Sequence, residues 1–148
     1  MSPHKSFITL IFVAACTILV RAQGVPSGWK FESQRPEIAP VSALDNKVIH
    51  GGSATLSLRG GGKDHAAGYW YKVVDTEPGK FYHFKTHFKP QGIDEPYRSV
   101  LARVIWRNDD GEVVGFREYP ATKMDKTPDG WRVIEQSYQA PKDATSQY

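Results

Sequence analysis

Phe81-Tyr82-His83-Phe84-Lys85-Thr86-His87-Phe88-Lys89 decides the fold. Tyr82, Phe84, Thr86 and Phe88 alternate with His83, Lys85, His87 and Lys89. Successive side chains of a strand point to opposite faces, so this period of two predicts a strand with one face in the core and one in water. Just before it, Glu77-Pro78-Gly79-Lys80 predicts a type II turn. Proline presets φ at the second position, and glycine accepts positive φ at the third.

The same signals repeat outward in both directions. Ala54, Leu56 and Leu58 alternate with Thr55, Ser57 and Arg59 after the turn His50-Gly51-Gly52-Ser53, and Gly60-Gly61-Gly62 ends that strand. Residues 69–75 are aromatic and β-branched, again strand-like. Residues 29–33 read as a first strand, and the proline-bounded residues 35–40 as irregular chain. Val100, Ala102, Val104 and Trp106 share one face, with Leu101 and Ile105 on the other. That pattern predicts a central strand covered on both sides. Asn108-Asp109-Asp110-Gly111 predicts a hairpin turn into residues 113–116. Thr127-Pro128-Asp129-Gly130 predicts another turn, before a strand at 131–138 and a loop at 140–144. Nothing sustains a helical period. About seven short strands between Gly/Pro turns imply an all-β, antiparallel sandwich. Composition agrees: 40% apolar residues are too many for disorder, and 13 Gly with 10 Pro in 148 residues interrupt any helical bundle.

The N-terminus reads differently. Lys5 precedes an apolar run of 14 residues, 7–20, shorter than the roughly 20 needed to span a membrane. Val20-Arg21-Ala22 fits signal-peptidase cleavage after Ala22. The organisation expected is a signal peptide at 1–22, a linker at 23–28 and one sandwich domain at 29–148. Export follows, to the periplasm or the extracellular space. Val13-Ala14-Ala15-Cys16 also fits a lipobox, which would make Cys16 a lipidated N-terminus. Cleavage after Ala22 removes Lys5 and Arg21 and takes the formal charge from +3 to +1. No Lys/Arg cluster remains, which speaks against nucleic-acid partners. Cleavage also removes Cys16, the only cysteine, and with it any disulfide or thiolate metal site. The chain stops at Tyr148, soon after the 140–144 loop. A sandwich would want one or two closing strands there, so the expectation is a fragment with an unpaired edge and poor stability in isolation.

Several short stretches, taken in order, carry a resemblance. They are Gly28-Trp29, residues 52–58, Gly68-Tyr69-Trp70-Tyr71-Lys72-Val73-Val74, residues 77–82, Gly130-Trp131 and residues 140–144. Their order and spacing resemble the galactose-binding-like jelly rolls that include many carbohydrate-binding modules. Residues 36–40, Pro96-Tyr97-Arg98-Ser99 and Val104-Ile105-Trp106 are similar to landmarks of the N-terminal accessory sandwich of secreted bacterial nitrilase-type carbon–nitrogen hydrolases. That family's catalytic domain uses a Glu, a Lys and a Cys nucleophile. The chain after Ala22 has no Cys, so the triad is not carried over. The resemblance implies a jelly-roll topology and a non-catalytic accessory role. Its partners would be a glycan or other extracellular polymer, or the chain's own or a separate hydrolase domain. It also implies a structural calcium, for which Glu32 and Asp143 are the candidate ligands.

Sugar rings stack their C–H faces on aromatic rings, so Trp29, Tyr69, Tyr71 and Tyr119 are the candidate ligand-binding residues. Tyr69 and Tyr71 should share one strand face and Trp70 the other. Trp106 and Trp131 read as core. His83 and His87 have the i, i+4 spacing of a helical zinc pair. On a strand rising roughly 3.3 Å per residue they stand about 13 Å apart, so no metal site is expected. Asp109-Asp110 and Asp94-Glu95 read as turn residues rather than a glycosidase pair. Residues 60–64 lack the spacing of a phosphate loop, and no Gly-x-Ser-x-Gly elbow is present.

Overall fold

The computed structural model describes residues 24–148. The signal peptide, the cleavage site after Ala22 and the Cys16 lipobox lie outside the described residues. The strands are β1 (Trp29–Glu32), β2 (Val41–His50), β3 (Ser53–Arg59), β4 (Tyr69–Lys72), β5 (Val74–Asp75), β6 (Phe81–Phe88), β7 (Trp106–Arg107), β8 (Thr122–Lys126), β9 (Arg132–Gln139) and β10 (Ser146–Gln147). One short helix, α1 (Pro96–Ser99), and a 3-10 turn at Pro36–Ile38 interrupt them. The sheets are β1–β4, β2–β3, β5–β10–β7 and β6–β9–β8, and all their pairings are antiparallel. The all-β, antiparallel reading of the sequence is therefore the observed class.

Alternation in β6 does what the sequence requires. Tyr82 and Phe84 turn inward with Tyr138 of β9 and pack against Val104, Trp106, Ala140 and Ala144. The Tyr82 and Trp106 rings lie 6.1 Å apart, across the space between the β6–β9–β8 and β5–β10–β7 sheets. Trp106 is wholly buried; as the largest core side chain it supplies much of the area that holds the sheets together. The turn before β6 is type II as expected, with Gly79 at φ 74° and Lys80 N donating to Glu77 O at 3.3 Å.

The structure corrects the expectation for residues 100–106. Val104, Ile105 and Trp106 are consecutively buried, as a strand covered on both sides should be. Leu101, however, is 69% exposed, and residues 100–103 form no strand. Upstream of β7 pairing reduces to a bridge between Val104 and Glu118 and to the Ile105–Tyr148 backbone bonds, so the alternation at 100–103 has no neighbouring strand to pack. The expected strand at 113–116 likewise reduces to a bridge between Val113 and Arg107, and Phe116 is exposed.

Three strands are additional to those expected. β2 pairs with β3 across Gly51 and Gly52, both at positive φ, the backbone that a two-residue hairpin turn needs. A bulge between Asp45 and Ile49 breaks its alternation, and Asp45 Oδ1 accepts from Lys47 N at 2.9 Å and Val48 N at 3.2 Å there. β8 flanks β9. β10 lies between β5 and β7, paired on both sides, and Tyr148 exchanges backbone bonds with Ile105 at 2.8 and 3.1 Å. Where the sequence suggests an unpaired edge after the 140–144 loop, a short central strand stands instead. Among the described residues no helix is long and apolar enough to cross a membrane.

Candidate functional site

The β1–β4 ribbon sets the site. Its register places Trp29 opposite Lys72, Lys30 opposite Tyr71, Phe31 opposite Trp70, and Glu32 opposite Tyr69. Residues directly opposed on antiparallel strands share a face. Lys30, Glu32, Tyr69 and Tyr71 therefore form one face, and Trp29, Phe31, Trp70 and Lys72 the other. The second face is anchored inward. Phe31 and Trp70 meet edge-on at 5.6 Å, and Trp70 Nε1 donates to Ser57 O of β3 at 3.2 Å.

On the first face the rings of Tyr69 and Tyr71 lie 6.0 Å apart, and Tyr71 and Tyr148 lie 5.5 Å apart. Adjacent rings tilt by 51° and 54°. The Arg107 guanidinium carbon sits 4.7 Å from the Tyr148 ring centroid, and Arg107 also donates to the Tyr148 hydroxyl and to Gly111 O. Tyr69 is 43% exposed, while Tyr71 and Tyr148 are half-buried. Burial first, and then the neighbouring Glu32 carboxylate, push the Tyr69 hydroxyl above the ordinary tyrosine range. It remains a proton donor to Glu32 at physiological pH. The result is a row of three rings flanked by one carboxylate and one guanidinium. Such a row can stack against apolar ring faces and hydrogen-bond to hydroxyls.

The four sequence candidates do not converge. Tyr69 and Tyr71 share the face as expected. Trp29 belongs to the opposite face of the same ribbon. Tyr119 stands elsewhere, with the Arg103 guanidinium carbon 5.3 Å from its ring centroid. Tyr148 and Arg107 join the site without a sequence signal, because contacts at this range depend on where β10 inserts. Trp106 and Trp131 are buried.

The calcium reading finds no ligand set. No group of three or more His, Cys, Asp or Glu among the described residues is placed to hold a metal ion. His83 and His87 go to separate partners: His83 Nδ1 lies 3.0 Å from Ser137 Oγ, and the His87 ring stacks 4.3 Å from that of His50. Asp109 and Asp110 occupy a turn closed by Gly111 N donating to Asn108 O at 2.9 Å. Two open grooves, about 580 and 340 Å³, lie on the β2–β3 hairpin rather than at the tyrosine row. Charged groups in the smaller one are already paired, with Asp45 bound to Arg59 at 2.8 Å. The tyrosine row is the better candidate, because it brings three adjacent rings together with flanking polar groups. The chain matches no family model, no curated protein and no solved structure.

Proposed function

We propose that the chain is an exported, non-catalytic accessory module of the galactose-binding-like jelly-roll kind, which weakly binds a glycan or similar extracellular polymer. The observation that supports this is the outward row Tyr69–Tyr71–Tyr148, with ring spacings of 6.0 and 5.5 Å. Sugar C–H faces stack on such rings, and Glu32 and Arg107 supply an acceptor and donors at its two ends. Affinity electrophoresis through gels containing neutral or acidic soluble polysaccharides tests it. Retardation by at least one polymer, weakened in Tyr69→Ala and Tyr71→Ala, is the expected result. Unretarded migration in every gel overturns the reading.

A second reading has its own support. Leu101, Phe116 and Tyr119 are exposed at 69%, 85% and 55%, large side chains that a docking partner would cover. On this reading the sandwich is the accessory part of a nitrilase-type carbon–nitrogen hydrolase and serves docking or oligomerisation. Sedimentation velocity of Phe116→Ser against wild type tests it. Loss of a dimer or higher species supports docking, and a monomeric wild type argues against self-association.

A further inference from the structure

We infer that His50, His87 and Trp131 form an acid-sensitive clasp, which holds the β2–β3 hairpin tip on the β6–β9–β8 sheet and releases it when both imidazoles are protonated. His50 ends β2 at the Gly51–Gly52 turn, His87 projects from β6, and Trp131 immediately precedes β9. The His50 ring lies 4.3 Å from both the His87 and Trp131 rings, tilted by 40° and 43°. Trp131 is buried, so it is a fixed surface; both histidines are half-buried. Among the described residues β2 and β3 form ladder pairs only with each other. The hold on the hairpin tip therefore falls to side chains.

Neutral rings stack without electrostatic cost. The His50 ring meets the Trp131 face, which attracts a cation, and the Asp129 carboxylate is near enough to feel the imidazole charge. Lys89, just after β6, also acts on Asp129. A hydrogen bond from Thr127 holds Asp129 below the usual carboxylate range, so it stays ionised while the histidines titrate. A proton on His87 is opposed by the His50 imidazole at 4.3 Å and by Lys85 on its own strand. Glu135 of β9 is the opposing attraction, but its oxygens are already held by Lys85 and Lys123, each at 3.2 Å, with His83 at 3.6 Å. Burial first, then His50 and Lys85, lower the proton affinity of His87 below its ordinary value of 6.5. A histidine depressed in this way contributes stability that is complete above 6.5 and is lost as pH falls through its own lower value.

Hydrogen exchange on the full chain, expressed as protection factors corrected for intrinsic rate, tests the clasp. Between about pH 7.5 and about pH 5, protection across residues 53–59 should fall by up to about tenfold per pH unit. Protection in β6 and β9 should hold. His87→Gln should retain hairpin protection across the same range. A flat wild-type profile, or an equal fall in His87→Gln, overturns the clasp. Should that variant fail to fold, wild-type imidazole resonances decide. His87 must titrate below 6.5; titration of His87 at or above that value overturns the inference.

Discussion

The Arg107 guanidinium lies over the ring of Tyr148 and donates to its hydroxyl, across 41 residues of sequence. The contact joins β7 to the residue after β10, and the Tyr148 ring lies 5.5 Å from that of Tyr71. One side chain thus ties the β5–β10–β7 sheet to the β1–β4 ribbon that carries the tyrosine row.

Tyr148→Ala should lower the urea-unfolding free energy by about 2 kcal/mol, through loss of the cation–π contact and the hydrogen bond. Tyr148→Phe, which keeps the ring, should cost about 1 kcal/mol. Equal stability of the two variants would mean that the ring contact carries no weight.

The register Glu32–Tyr69 separates the aromatic candidates. Tyr69→Ala should weaken polysaccharide retention roughly three- to tenfold, the range expected for one aromatic contact. Trp29→Ala and Tyr119→Ala should leave it unchanged. Loss of retention in Trp29→Ala without loss of fold by circular dichroism would move the site to the other face.

Gly68→Ala should destabilise by about 1–3 kcal/mol, a typical overpacking cost. A Cβ at this position would sit 2.8 Å from Pro40 Cδ and 2.9 Å from Phe31 Cε2, closer than real Cβ atoms stand, so something must shift. Gly24→Ala, whose Cβ meets nothing within 4 Å, should melt with the wild type. Thermal melts of the two variants make the comparison.

Hydrogen bonds from Lys123 and then Lys85 hold the Glu135 carboxyl below its ordinary value of 4.5. A depressed carboxylate contributes stability above that value and loses it as pH falls through the folded-state value. Glu135→Gln should therefore flatten the acid limb of a melting-temperature profile taken from about pH 7 to about pH 3. Added salt should flatten the wild-type limb as well. An unchanged acid limb in the variant would remove Glu135 from the account.

What was legible in the sequence follows from how local each signal is. β6 could be read because its alternation is unbroken over Phe81–Phe88. The turn at Gly79 could be read because proline and glycine fix its dihedrals locally. β2 was hidden by the bulge after Asp45, which shifts the register between Asp45 and Ile49. β8 reads Thr-Lys-Met-Asp-Lys and offers no apolar face. β10 is two residues long, too short for any period. At the site, alternation places Tyr69 and Tyr71 together, but separating Trp29 from them requires the β1–β4 register, which no single-strand pattern contains. His50 paired with His87 rather than His83 with His87 for the same reason: the partners come from different strands.

β10 carries a kinetic consequence. It fills the space between β5 and β7, strands laid down much earlier in the chain. During synthesis the Trp106 side of that layer must wait, incompletely covered, until Ser146 and Gln147 have left the ribosome. Pairings of such high contact order form slowly, and a nascent chain held at this stage presents its most oily surface to chaperones and to other nascent chains.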